Sequence, residues 1–435
     1  MNKKVGLFPR DTVVNDRGHL VIGRCDAEEL VESYGTPLYV FDEKTIRLRC
    51  REFKTEFGSR YKGAVVAYAG KAFLHTAMVR LLNEEEMFLD VVSGGELFIA
   101  KAAGFPAEKI YFHGNNKSID ELSEALDYKI GRIVVDNIHE LESIGALCEK
   151  RGCRQKILLR ITPEVMACTH SHIATGEIGS KFGFPLDDVA NAVRRSASLP
   201  SIELMGFHFH MGSMISDVEV YLKAIDVVLG ITADLKKNKG FTLLELNIGG
   251  GYAVPYTTND MVPEISWYAE MITGRIITKC KEYEMILPRL TIEPGRSIVA
   301  QAGVAFYRVG SIKDVPGPIR YVAVDGGMAD NIRPALYDAC YDPVLALRMK
   351  EPEIEIVSVA GRFCESGDVL VRDIMLPGVR TGDLIAVPVC GAYCIPMSSN
   401  YNATCKPPIV FLRYGKAILV RRRETYRDLL HCDVT

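Results

Sequence analysis

Eight short apolar runs recur along residues 63–296, with helix-like segments separating most of them. They are GAVVAY (63–68), MFLDVV (87–92), KIYFHG (109–114), RIVVD (132–136), KILLRI (156–161), LMGFHFH (204–210), LLELNIGGG (243–251) and LTIEPGR (290–296). Runs of roughly 4–8 residues suit strands buried on both faces of a parallel sheet. Between them, 73–86, 95–104, 118–130 and 137–152 place apolar residues three to four apart with charges interleaved, the pattern of amphipathic helices. Ser118 with Glu121 forms a capping-box pattern, and Gly104 and Gly152 stand at expected helix ends. Strand then helix, repeated eight times, predicts an α/β chain built on a (β/α)₈ TIM-like barrel; a doubly wound open sheet is the alternative.

Beyond residue 300 the texture changes. GVAFYRVGSIKDV, RYVAVDGG, EIEIVSVAGRF, GDLIAVPV and PPIVFLRYGKAILVRRR are β-rich runs broken by Gly, Pro and Asp. They predict a mainly antiparallel β-sandwich or barrel. HLVIG and PLYVF near the start read the same way. The expected layout is a barrel over 41–300, with 1–40 and 301–435 forming the second domain.

Composition narrows the function. With 52 basic against 55 acidic residues, a net charge of −3, the chain lacks the electrostatic footprint of a nucleic-acid binder. No apolar run approaches the ~18 residues of a membrane span. The first residues, MNKKVGLFPRDTVV, carry no apolar secretory core. The 12 cysteines show no CxxC pair and read as reduced thiols of a cytoplasmic protein.

Strand C-terminal ends carry the chemistry of a barrel. Here they read Lys71, Asp90, His113, Asp136, Arg160, His210, Gly249–Gly251, and Glu293 with Arg296; ionisable residues or glycines occupy all eight. Gly249, Gly250 and Gly251 follow the seventh run, where this fold usually binds phosphate and where exposed backbone N–H groups suit an anion. Ser213 could add a hydroxyl. Lys71 lies in the apolar stretch VVAYAGKAF, a setting that favours a Schiff-base lysine; a snorkelling lysine is the plainer reading. A phosphate site, a lysine and a carboxylate at one mouth can together hold pyridoxal 5′-phosphate, with Glu293 at its ring nitrogen. His210 reads either as a core histidine or as a ring stacked on a flat cofactor; His208 reads as structural. No histidine spacing suggests a metal.

In these motifs the chain resembles the fold-type III, pyridoxal-phosphate-dependent basic amino acid decarboxylases. The matching stretches are YAGKA around Lys71, DVVSGGEL (90–97), HGNNKS (113–118), SKFGF (180–184), GFHFHMGS (206–213), NIGGGY (247–252), IEPGRSIVA (292–300), VDGGMADNIRPALY (324–337), CESGD (364–368), GDLIAV (382–387), GAY (391–393) and SSNYN (398–402). The resemblance implies that Lys71 carries the cofactor and His210 stacks on its ring. It assigns cofactor binding also to Asp90, Ser213, Gly249, Gly250, Gly251, Glu293, Pro294, Gly295, Arg296 and Tyr393. It assigns substrate to Arg296, Arg333, Tyr337, Glu365 and Tyr393, and protonation after decarboxylation to Cys364. It further implies a head-to-tail homodimer in which Cys364 and Glu365 reach the partner's site. Phe73 and Met214 replace the Asn and Gln common in the family.

A substrate with a second amine and a second carboxylate would need a guanidinium fork at its far end. Arg333 and Arg296 are candidates for that fork, with Glu365 for the amine. The expected substrate is meso-2,6-diaminopimelate, decarboxylated at its D-centre to L-lysine. The alternatives are a decarboxylase of ornithine, lysine, arginine or carboxynorspermidine, an inactive regulatory homologue, and a racemase.

Overall fold

The computed structural model describes residues 3–165, 180–316 and 320–434. The chain divides into two compact units. One comprises Cys50–Ala253 and Val262–Gly295; the other comprises Met1–Arg49, Val254–Met261 and Arg296–Thr435.

The first unit is a closed barrel of eight parallel strands: β1 (Val65–Ala69), β2 (Phe88–Val91), β3 (Ile110–Phe112), β4 (Arg132–Val135), β5 (Gln155–Arg160), β6 (Ile202–His208), β7 (Glu245–Asn247) and β8 (Arg289–Ile292). Neighbours in sequence are neighbours in space, and β8 closes on β1 through Thr291 opposite Val65. The eight apolar runs are these eight strands. The open-sheet alternative is thereby excluded.

Crossover helices begin where the chain supplies caps. Ser93, Ser118 and Asn137 each accept a backbone N–H of the first helical turn, and Ser118 with Glu121 completes a capping box. Gly152 ends its helix at φ +62°, a left-handed conformation a Cβ would resist. Inside the barrel, Ala67, Tyr111, Val134 and Leu158 pack together. Below them Tyr111 donates to Glu245, which also takes Arg132 Nε at 2.9 Å. Buried charges are paired at this end of the strands, and the opposite end carries the candidate site.

In the second unit the sheet order is Val369–Leu376, Glu355–Ala360, Arg320–Val324, Gly303–Asp314, Leu38–Asp42, Ile409–Arg413, Lys416–Arg421. Leu384–Val387 also pairs with Gly303–Asp314. Most pairs are antiparallel as expected; Leu38–Asp42 with Ile409–Arg413 and Arg320–Val324 with Glu355–Ala360 are parallel. The core includes Leu38, Val40, Val304, Phe306, Leu384, Ala386, Val410 and Leu412. Residues Val254–Met261 join this unit, where the amide and hydroxyl of Thr258 donate to Asp342. Among the described residues no helix is long and apolar enough to cross a membrane, and the described cysteines are all free thiols.

Candidate active site

In the barrel unit the strand ends deliver their side chains as the periodicity implied. Lys71 sits in a one-turn 3₁₀ segment, Gly70–Ala72, directly after β1. Its charge bears on Asp90, Glu96 and His210.

Glu293 follows β8 and is the centre of a buried cluster. Its Oε1 accepts from Asn247 Nδ2 at 2.6 Å and stands 2.8 Å from His113 Nε2; its Oε2 stands 3.3 Å from His208 Nε2. The histidine contacts lie at ion-pair distance but are not aligned as linear hydrogen bonds, so they act chiefly through charge and dipole. Burial pushes Glu293 up, yet His113 and His208 outweigh it and hold the carboxyl well below its usual range. Burial pushes Asp90 up to about 6 and His208 down to about 3. His208, read from sequence as structural, thus stands directly against Glu293. The trio His113, His208 and Glu293 has its ligand atoms within 4.8 Å of one another, a cation-sized donor set that no sequence spacing announced.

The triple-glycine turn has a physical reason beyond the one read from sequence. A Cβ on Gly250 would lie 2.0 Å from the Glu293 carbonyl oxygen, and one on Gly249 would lie 2.7 Å from His210 Nδ1. The glycines let the turn close against neighbouring backbone. Two of their amides already have partners: Gly249 N–H donates to Asn247 Oδ1 at 3.0 Å and Gly250 N–H to His210 Nδ1 at 3.2 Å. The second bond makes Nδ1 of His210 an acceptor and fixes the ring's tautomer; burial lowers its pKa well below the ordinary value. Pro294 and Gly295 continue from Glu293, with the Pro294 carbonyl accepting the Ala69 amide.

The two departures from the family pattern differ in consequence. Phe73 is buried, its ring edge-on to His75 at 4.9 Å, so it fills core. Met214 takes φ +61° beside Ser213, a backbone that disfavours most side chains.

In the second unit Arg333 opens the helix Arg333–Tyr337 and is 5% exposed. Its guanidinium lies 4.4 Å from the Tyr256 ring centroid and 5.6 Å from that of Tyr341, and it donates to the Tyr341 hydroxyl. Among the described residues no carboxylate pairs with it. Arg296 donates to Tyr256 Oη at 2.6 Å and lies 4.7 Å from the ring of Tyr393, which itself takes φ +63°. Tyr256 and Tyr341 had no motif to announce them. Tyr337 is half-buried. Cys364 and Glu365 are exposed on a loop whose Asp368 accepts the amides of Met328 and Phe363, while Cys364 N–H donates to Asn402.

The model for the pyridoxal-dependent decarboxylase pyridoxal-binding domain matches residues 43–300. A diaminopimelate decarboxylase of Bacillus subtilis is 47% identical over 422 residues, covering 97% of this chain and 96% of that one. The enzyme of Bacillus methanolicus is 45% identical, covering 97% and 98%. The chain belongs to the diaminopimelate decarboxylase family.

A crystal structure from M. jannaschii of diaminopimelate decarboxylase in co-complex with L-lysine superposes with a TM-score of 0.92 at 35% identity, covering 100% of this chain and 99% of that one. Members of this family are carboxy-lyases, and the cofactor is pyridoxal 5′-phosphate. The barrel unit fits it. Asp90 Oδ1 and His208 Nδ1 are buried without hydrogen-bond partners, Glu293 is held as an anion suited to a protonated ring nitrogen, and the glycine turn brings bare backbone to the same strand ends.

Proposed function

We propose that the chain decarboxylates meso-2,6-diaminopimelate at its D-centre, giving CO₂ and L-lysine, the last step of lysine biosynthesis. The observation that carries this reading is Arg333, a buried guanidinium held by two tyrosine rings and, among the described residues, without a carboxylate partner. A buried charge kept in that state is suited to an incoming anion. Ornithine and lysine have no distal carboxylate to offer it; diaminopimelate does.

When bound, pyridoxal phosphate supplies an electron-withdrawing ring that accepts the electron pair released as CO₂ departs. Lys71 would hold the cofactor through its amine. Glu293, ionised, would keep a proton on the ring nitrogen and so preserve that withdrawing power. His210, with Nδ1 tied to Gly250, presents a neutral ring face suited to packing on the cofactor. Gly251 and Ser213 would take the phosphate, with Asp90, Pro294, Gly295, Arg296 and Tyr393 completing the cofactor's surroundings.

For substrate, the planar fork of Arg333 would fix the distal carboxylate, with Arg296, Tyr337, Tyr393 and Glu365 as further contacts. Fixing the distal end also orients the reacting centre, which is how remote binding energy serves the chemical step. Cys364 Sγ would deliver the proton that replaces the lost carboxylate. Its exposure, on a loop tied down by Asp368, suits a thiol that serves a second subunit. The working unit in this reading is a cytoplasmic homodimer with shared sites.

Product analysis with stereochemically defined diaminopimelate tests the reading. L-Lysine should form from the meso isomer and not from the L,L isomer. Faster CO₂ release from ornithine, lysine or carboxynorspermidine would refute it.

A further inference from the structure

The strand ends of the barrel bring two buried carboxylates to one imidazole. His113 Nε2 stands 2.8 Å from Glu293 Oε1 and 3.6 Å from Asp90 Oδ1. A single ring nitrogen carries at most one proton and can serve only one of them well, and the distances favour Glu293. Asp90 Oδ1 is left buried with no hydrogen-bond partner. The second imidazole, His208, stands edge-on to His113 with ring centroids 4.7 Å apart and reaches only Glu293. Asn247 Nδ2 donates to Glu293 Oε1 at 2.6 Å and not to Asp90. The polar contacts are thus concentrated on one acid of the pair.

We propose that His113 is a positioning residue that selects Glu293, rather than Asp90, as the permanent anion of this cluster. This inference deepens the proposed function and rests on it only for its kinetic consequence. A carboxylate at the cofactor's ring nitrogen holds a proton there. A neutral carboxylic acid in the same place would offer its own proton and leave the ring a weaker electron acceptor. Two acids in one dry cavity cannot both ionise cheaply. Burial favours the neutral form of each, and Asp90, pushed up to about 6, is the first of the two to take a proton as pH falls. His208, pushed down by burial to about 3, contributes only its ring dipole, and it stands 3.3 Å from Glu293 against 2.8 Å for His113. The groups whose ionisation bears on the cluster include Asp90, Glu96, Asp136, His208, His210, Tyr252 and Glu293, together with Lys71 and Arg160.

The test reads Glu293 directly. Infrared spectra of the apoprotein near neutral pH should show one protonated carboxyl more in His113→Leu than in wild type, and that added band should disappear in the double variant with Glu293→Gln. In the cofactor-loaded protein, the visible band of His113→Leu should titrate between about pH 6 and about pH 9, while wild type stays constant over that range. Turnover should fall roughly 10- to 100-fold, the range for partners that orient a site's ligands, with KM little changed. His113→Gln keeps an N–H and similar bulk, so it should fold if His113→Leu does not, and should restore part of the loss. An ionised Glu293 and a pH-independent band in both variants would overturn the proposal, even if the substrate assignment stands. The infrared result would hold even if the substrate proves to be another amino acid.

Discussion

The guanidinium of Arg333 lies 4.4 Å from the ring centroid of Tyr256, and among the described residues no acid neutralises it. Under the proposed function, the two facts mark Arg333 as an arginine that holds ligand and not the fold. Replacing a structural arginine orphans its acid partner and weakens the fold. Replacing this one orphans nothing charged. Arg333→Leu should therefore keep or raise the melting temperature while kcat/KM for diaminopimelate falls by about 2–5 kcal/mol of transition-state binding, roughly 30- to 5,000-fold. Arg333→Lys should fail almost as badly, because an ammonium cannot reproduce the fork. Steady-state kinetics beside a thermal melt checks both. A large fall in stability with modest loss of activity would make Arg333 structural.

Tyr256 links that arginine to another, its hydroxyl accepting from Arg296 while its ring carries Arg333. Tyr256→Phe removes the acceptor and keeps the ring. A hydrogen bond to a charged group is worth about 1.5–3 kcal/mol, so the variant should raise KM roughly tenfold or more with Arg333 still in place. Tyr256→Leu, which removes the ring as well, should lose more. Equal losses in the two variants would leave the hydroxyl without a role.

Two glycines should respond differently to the same methyl group. Gly152→Ala meets open space and suffers only its left-handed φ, so it should destabilise by about 1 kcal/mol and leave activity intact. Gly250→Ala drives a Cβ to 2.0 Å from the Glu293 carbonyl oxygen, where only backbone movement can relieve it. It should lose about 3 kcal/mol or more, together with cofactor retention, because the carbonyl it displaces belongs to the site's own carboxylate residue. Denaturant unfolding and the absorbance of the purified protein report the two effects.

Asp330 provides a pH signature in the second unit. It is fully buried, accepts from Tyr39 and Tyr307, and burial pushes it up to about 6. Its folded pKa exceeds its unfolded value, so the folded state binds the extra proton. Its contribution is present at low pH and lost as pH rises from about 4 to about 6. Wild type should lose stability relative to Asp330→Asn across that window, by on the order of 3 kcal/mol, with a constant difference above it. Paired denaturant titrations check the sign; a difference that moves the other way means the acid is ionised and stabilising.

How much was legible beforehand follows from the range of the signals. Strand periodicity and capping are local, so β1 to β8 and the Ser118 capping box could be read from adjacent residues. Lys71, Asp90, His113, Arg160 and Glu293 could be placed at one end of the barrel because strand ends are also local. Their mutual contacts could not. His113 follows β3 and His208 ends β6, and only closure of the barrel brings both to Glu293. Tyr256 was hidden for a similar reason: its eight-residue segment leaves the barrel for the other unit with no change of composition. The glycine turn was read for its amides, whereas steric closeness to His210 and Glu293 accounts for at least two of the three residues.

The proposed shared-site dimer makes the last prediction. Lys71 and Cys364 fall in different units, and Cys364 is exposed. If each site takes its lysine from one subunit and its thiol from the other, Lys71→Ala and Cys364→Ala should each abolish or nearly abolish activity alone. Mixing them under conditions that exchange subunits should then restore it. A mixed dimer has one site with both defects and one with neither. Random exchange makes half the dimers mixed, so activity should recover to about 25% of wild type in a symmetric twofold assembly. If both residues instead serve the same subunit's site, every site in the mixture keeps a defect and no activity returns. Sedimentation of the mixture, run beside the assay, confirms that exchange took place, so a flat result would count against sharing and not against mixing.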